Sequence, residues 1–151
     1  MRLSLWLDGA RPIATDPFPV VGERSFDVAV VGAGITGVST AVMLARAGQR
    51  VVLVEARHPG AVTTGNTTAK VSVLHGNRAG TVLRRHSADL ASAYLQANLA
   101  GQDWLVRFCD QAAVELEIRR AVSFSQTGQE LAGLDDDMRA LEAAGLAPVR
   151  I

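Results

Sequence analysis

With a single cysteine, Cys109 has no partner for an internal disulfide, and the chain cannot supply a zinc or iron–sulfur site, which takes several cysteines or Cys/His pairs. There is also no excess of one charge: 15 Lys plus Arg stand against 15 Asp plus Glu. Affinity for nucleic acid comes mainly from neutralising phosphates, so this balance excludes a nucleic-acid partner. Nowhere do about 18 apolar residues run together without charge, so no segment reads as a membrane span. The start, Met1 to Ala10, carries one Arg and the short apolar set Leu3, Leu5, Trp6 and Leu7, interrupted at Asp8. That pattern does not read as a secretory leader. A reducing, cytoplasmic setting is expected, without a membrane. At 151 residues the chain can bury a core but has no room for two full domains.

What the sequence does contain is ordered. Pro12, Pro17, Pro19 and Gly22 punctuate a stretch expected to be an extended lead-in, residues 1–25, draped over a surface. Phe26 to Val31 is a short apolar, β-branched run ending in glycine, the mark of a buried parallel strand. From Ile35 to Ala47, Val38, Ala41, Val42, Leu44 and Ala45 recur at helical spacing, and Gly48 sits where a helix stops. Val51 to Glu55 reads as a second buried strand, completing a βαβ unit. A polar loop of small hydroxyl residues, Thr63 to Lys70, follows, and residues 26–80 are read together as the dinucleotide-binding part.

Residues 81–151 are read as the start of a second, α+β region. A long amphipathic helix is predicted from Ser87 to about Cys109, its core stripe formed by Leu90, Tyr94, Ala97, Trp104, Leu105 and Phe108. Leu116, Ile118, Val122 and Phe124 alternate with polar residues, as in a half-buried strand or hairpin that opens a second sheet. A capping-box spacing at Thr127–Glu130 then introduces a helix carrying Leu131, Leu134, Met138 and Leu141, with Gly145 as its stop. The expected fold class is α/β, a Rossmann-like unit followed by part of an α+β domain, its sheet incomplete.

The chemistry concentrates at Gly32-Ala33-Gly34-Ile35-Thr36-Gly37, the junction of the first strand and its helix. Gly32 permits the tight turn, Gly34 leaves room for a pyrophosphate against the backbone, and Gly37 lets helix and strand pack closely. The phosphates then meet unpaired N–H groups at the positive end of the helix dipole, here around Ile35 and Thr36. Glu55 closes the second strand, where its carboxylate can accept hydrogen bonds from the ribose hydroxyls and would repel a 2′-phosphate. These residues alone point to FAD or NAD in preference to NADP.

The spacing Gly32-x-Gly34-x-x-Gly37-x-x-x-Ala41-x-x-Leu44-x-x-x-Gly48-x-x-Val51-x-x-x-Glu55, followed by Ala56-Arg57, resembles the amino-terminal motif of FAD-dependent oxidoreductases of the D-amino-acid-oxidase and glycine-oxidase type. Gly65-Asn66-Thr67-Thr68-Ala69-Lys70, with His75-Gly76 beyond it, looks like a loop found in a subgroup of that family often fused to a Rieske domain. The resemblance runs from about Leu5 to Leu146. It implies FAD as cofactor, Glu55, Ala56 and Arg57 at the adenosine end, and Thr67, Thr68 and Lys70 near the pyrophosphate and the flavin ring. Members of this family continue for hundreds of residues, and the Cys/His pairs of a Rieske cluster are missing here. The chain is therefore expected to be an amino-terminal fragment or shortened form.

Two readings of function follow. In the first, the chain is the cofactor-binding part of an oxidoreductase that removes a hydride from a small amine or amino acid. The second is a non-catalytic nucleotide-binding or interaction module, or an NAD-binding unit, that needs a partner chain to complete its fold. No catalytic acid or base is assigned, because flavin chemistry rests on the cofactor and its placement. His75 reads either as a neighbour of the flavin or as a structural histidine, while His58 and His86 are weaker candidates. Cys109 reads as a small buried hydrophobe. Arg84-Arg85 and Arg119-Arg120 read either as a solvated face or as contacts for an anionic substrate.

Overall fold

A computed structural model describes residues 4–9, 11–17 and 25–150. The chain divides into two compact units, Met1–Lys70 and Val71–Ile151.

The amino-terminal unit opens with a one-turn helix, α1 (Leu5–Asp8), capped by the Ser4 hydroxyl, which accepts from the Leu7 N–H. Residues 11–17 follow without regular structure. The expected extended lead-in is thus corrected at its start, where Ser4 nucleates a helical turn; Leu3, Pro19 and Gly22 lie outside the described residues. Next come β1 (Val28–Val31), α2 (Ile35–Arg46) and β2 (Val51–Val54). The strands run parallel with Val28 opposite Val51 and Val31 opposite Val54. At the strand starts, the Arg50 guanidinium pairs with Asp27 at 2.7 Å, holding that carboxyl at about 2. Gly48 adopts φ +85°, the left-handed stop read from the sequence.

The two strands were expected to be buried, and they are not. Val31 is 86 % exposed. A parallel strand is buried only when neighbouring strands and helices cover both its faces, and this sheet has two strands among the described residues. The resulting unit is a single βαβ crossover with α2 packed against both strands.

The carboxy-terminal unit is helical: α3 (Arg78–Arg85), α4 (Ala88–Gln111) and α5 (Gly128–Ala143). Ser87 and Thr127 cap α4 and α5 as their sequence positions predict, and Gly145 at φ +78° ends α5. α3 is not among the elements read from the sequence. It is two turns long, with Ala79 and Gly80 buried and Leu83 packed against the core, a short apolar face flanked by arginines. The core joins Ala79, Leu95, Ala140, Leu141 and Ala144, with Leu83 and Tyr94 packed against it. The predicted stripe of α4 is met in part: Tyr94 packs against the core and Trp104, Leu105 and Phe108 are half-buried, while Leu90 and Ala97 are exposed and the fully buried positions are Ala91 and Leu95. Trp104 and Phe108 stack with centroids 5.3 Å apart, and Cys109 is half-buried where a buried residue was expected.

The strand or hairpin predicted around Leu116 to Phe124 is absent, and with it the second sheet; residues 114–125 carry no regular structure. Ile118 is 87 % and Phe124 75 % exposed. Alternation alone does not make a strand, which needs a neighbour to receive its N–H and C=O groups, and no described residue supplies one.

Close approach of α3 and α5 depends on Gly80, where a Cβ would lie 2.6 Å from Asp136 Cβ. The approach lets Asp137 Oδ1 accept the Gly80 N–H at 2.6 Å, so α5 caps the first turn of α3, which has no side-chain cap of its own. Asp137 is 5 % exposed and its Oδ2 has no partner among the described residues. Burial pushes its carboxyl up, against the lowering effect of the Gly80 N–H and of Arg84, while Asp136 adds to the rise. The folded state therefore keeps this proton to higher pH than the unfolded chain, and stability falls as pH rises through that window. Asp137→Asn, which keeps an acceptor and carries no charge, is expected to gain stability relative to the parent as pH is raised from 4 to 7 in urea titrations. Asp137→Leu, which orphans the Gly80 N–H, is expected to lose about 1–3 kcal/mol at all of these pH values.

Candidate functional site

β1 delivers the chain into a turn that only glycine can make. Gly32 stands at φ +98°, with open space where a side chain would project, and its N–H donates to the Val54 carbonyl at 2.7 Å. Gly34 is the N-cap of α2 and supplies no side-chain cap. A Cβ on Gly37 would fall on the Gly32 carbonyl oxygen, so the helix reaches this close to the turn only because that residue is glycine. The first N–H groups of a helix have no partner within it. The turn thus brings Ile35, Thr36 and Gly37 to the positive end of α2.

Glu55, just beyond β2, reaches back into this turn. Its Oε2 accepts the Ala33 N–H at 2.8 Å and its Oε1 the Arg57 N–H at 2.9 Å. These backbone donors, Ala33 foremost, hold its carboxyl below the ordinary value, so the group stands ionised at the end of the strand. Each oxygen keeps further acceptor capacity. Ala56 and Arg57 are exposed beside it. A cavity of about 350 Å³ lies alongside, with Ala33, Val54, Glu55 and Arg57 in its lining.

The hydroxyl-rich loop closes on the same turn, through a residue that the sequence did not single out. Thr64, in a short 3-10 turn (Thr64–Asn66), accepts the Ile35 N–H on its Oγ1 at 2.9 Å. A Cβ on Gly34 would sit 3.3 Å from that hydroxyl. Four threonines stand in this loop, and their spacing gives no ground for choosing among them. Of the residues proposed from the sequence, Thr67 has its Oγ1 turned onto the Ala69 N–H at 3.2 Å, and Thr68 and Lys70 are exposed. Ala69 is at φ +56°.

α1 holds this loop in place. Trp6 Nε1 donates to the Thr67 carbonyl at 2.7 Å, Ser4 Oγ donates to the Gly65 carbonyl, and the Leu7 side chain fills the space beside Gly65, 2.7 Å from where a Cβ would stand. Gly65 and Gly60 continue the connection: the Gly65 N–H donates to Gly60 O, and the Gly60 N–H donates to Ala33 O at 2.9 Å. The chain from Trp6 to the glycine turn is therefore continuous.

The weaker candidates are elsewhere. His75 lies in the carboxy-terminal unit with Nδ1 3.4 Å from Tyr94 Oη, a structural contact. Arg84 pairs with Asp136, and Arg119 with Glu117, which accounts for one member of each arginine pair. Among the described residues no cluster of His, Cys, Asp or Glu could hold a metal, and no helix is long and apolar enough to cross a membrane.

Residues 27–151 match the family of FAD-dependent oxidoreductases. The chain belongs to that family. A Rieske 2Fe-2S iron–sulfur protein, YhfW, of Bacillus subtilis is 34 % identical to it over 114 residues, which is 75 % of this chain and 22 % of that protein. The chain thus spans about a fifth of this relative's length. No solved structure matches the chain significantly.

For an FAD-dependent oxidoreductase the residues of the turn are apt: a backbone cradle a Cβ would alter at Gly34, N–H groups at a helix start, and an ionised carboxylate at the end of β2. The loop that faces this cradle stands or falls with α1. Trp6→Ala is expected to speed amide exchange over residues 61–70 while leaving protection in α2 unchanged, as read by hydrogen–deuterium exchange. Gly65→Val, which drives a side chain into Leu7, is expected to destabilise the same unit by about 1–3 kcal/mol.

Proposed function

We infer that the amino-terminal unit is the FAD-binding part of an oxidoreductase that acts on a small amine or amino acid. The observation that carries this reading is the Glu55 carboxylate bonded into the glycine turn through the Ala33 N–H, which joins the ribose-reading residue and the phosphate cradle into one site. In that site the helix start at Gly34, Ile35, Thr36 and Gly37 receives the pyrophosphate, Glu55 takes the ribose hydroxyls, and Arg57 stands at the adenosine end. Thr67, Thr68 and Lys70, in the loop that Trp6 anchors, lie toward the flavin. The Thr64 hydroxyl occupies one helix-start N–H and is the group a phosphate oxygen displaces or joins. When bound, FAD supplies the hydride acceptor. These residues bind and orient it and carry no proton of their own in the reaction. The choice of FAD over NAD follows the family.

A second reading keeps the nucleotide site and drops the catalysis. It is favoured by the open sheet, where Val31 is exposed, and by Ile118 and Phe124 on a segment patterned as a strand without a neighbour. In this reading the chain is an interaction module whose partner supplies the missing strands, and light scattering after size exclusion distinguishes a lone monomer from an assembly.

The test of the first reading is direct. The purified chain is expected to bind FAD and ADP in fluorescence titrations, and Gly34→Val to abolish both, because its side chain takes the pyrophosphate's space and presses on Thr64. Equal affinities in the two proteins would remove the turn from the site.

A further inference from the structure

The cavity beside Glu55 has a second wall. One side is β2 and its end, Val54 and Glu55; the other is the lead-in, through Ile13, Thr15, Asp16 and Pro17. At about 350 Å³ it stands near the lower end of small-molecule pockets, roughly 300–1,000 Å³, room for a nucleoside and not for a whole dinucleotide. Its charges are mixed. Arg57 reaches the lining, where its charge helps to hold the Glu55 carboxyl down, and a guanidinium at this place favours a phosphate on the ribose. Glu55 opposes it, with both its oxygens already engaged by the Ala33 and Arg57 N–H groups. Asp16 brings a second carboxylate into the same cavity from a segment outside the βαβ unit.

We propose that the lead-in is the outer wall of the adenosine subsite, in which Ile13 and Pro17 cover the purine and Asp16 makes the site selective for an unphosphorylated ribose. The inference rests on the dinucleotide-binding reading above. It gives residues 13–17 a role in recognition that the glycine motif does not contain. The physical basis is ordinary: apolar side chains on both sides remove a flat base from water, and a carboxylate within the cavity repels a dianionic 2′-phosphate while leaving hydroxyls unaffected. Asp16 is exposed and makes no hydrogen bond among the described residues, so replacing it changes the charge of the cavity.

The experiment is calorimetric titration of the full chain with two probes, ADP and adenosine 2′,5′-bisphosphate. The parent protein is expected to prefer ADP, and Asp16→Asn to narrow that preference about fivefold by strengthening binding of the bisphosphate, the scale of one unit charge near a protein surface. Ile13→Ser is expected to weaken both probes about threefold without altering their ratio, the loss of part of an apolar contact. ADP binding that Gly34→Val abolishes, together with an unchanged ratio in Asp16→Asn and unchanged affinities in Ile13→Ser, overturns the lead-in assignment and leaves the dinucleotide site standing. Failure of the parent to bind either ADP or FAD overturns both.

Discussion

Everything in the amino-terminal unit depends on how closely the start of α2 can approach the turn before it. With no side chain at Gly37, the helix settles against the Gly32 carbonyl, and Gly32 can then turn at φ +98° into the N-cap at Gly34. Once that geometry is set, the Ala33 N–H points at Glu55, the Ile35 N–H at Thr64, and the Ala33 carbonyl at Gly60. Three points of the stretch from Glu55 to Thr64 thus take their positions from one four-residue turn. The hydrogen bonds they make are individually worth on the order of 1 kcal/mol. Their effect is to convert a flexible glycine stretch into a defined cradle, with its conformational entropy lost on folding before any ligand arrives.

The carboxy-terminal unit uses the same device for a different end. Gly80 removes the side chain that would press on α5 at Asp136 and the Asp137 backbone, and the close approach lets the Asp137 carboxylate cap α3 from another helix. A buried carboxylate with one oxygen unpartnered is a costly cap. It is retained beside Asp136, whose own carboxyl is drawn down by Arg84 and Arg139, so adjacent residues of α5 carry opposite shifts. Asp136 faces guanidinium groups near solvent, which draw it down, whereas burial pushes Asp137 up against the lowering effect of the Gly80 N–H.

What the sequence made legible was local. The Gly32–Gly37 turn, α2 with its Gly48 stop, the Ser87 and Thr127 caps and the Gly145 stop each depend on a few neighbouring residues, and each stands where its spacing puts it. Glu55 was readable as a site residue, but its bond to Ala33 spans 22 positions and has no signature in the spacing. Thr64 was hidden among like threonines, and α3 by its length of two turns. In α4 the aromatic positions were legible, while the fully buried Ala91 and Leu95 are less conspicuous than the aromatic residues beside them. Leu116, Ile118, Val122 and Phe124 show the opposite case: a clear local pattern without the neighbouring strand that would give it a structure.

The lead-in joins these two kinds of information. From its sequence it is a proline-broken stretch with no periodicity, the sort of segment read as a connector. Yet Trp6 and Ser4 bond to carbonyls 61 residues away, and Ile13, Thr15, Asp16 and Pro17 share the lining of a cavity with Glu55. A one-turn helix such as α1 has too little internal bonding to persist alone, so its order is supplied by the loop it holds. The loop in turn packs on α1 and bonds to the glycine turn through Thr64 and Gly60. Each therefore pays part of the ordering entropy of the other, and the two form together or not at all. On the function proposed above, one end of this joint assembly meets the pyrophosphate at the helix start and the other meets the ribose at the strand end, so a ligand spanning both binds more tightly to the assembled state. By linkage, such a ligand orders the lead-in, and an ordered lead-in favours the ligand by the same factor.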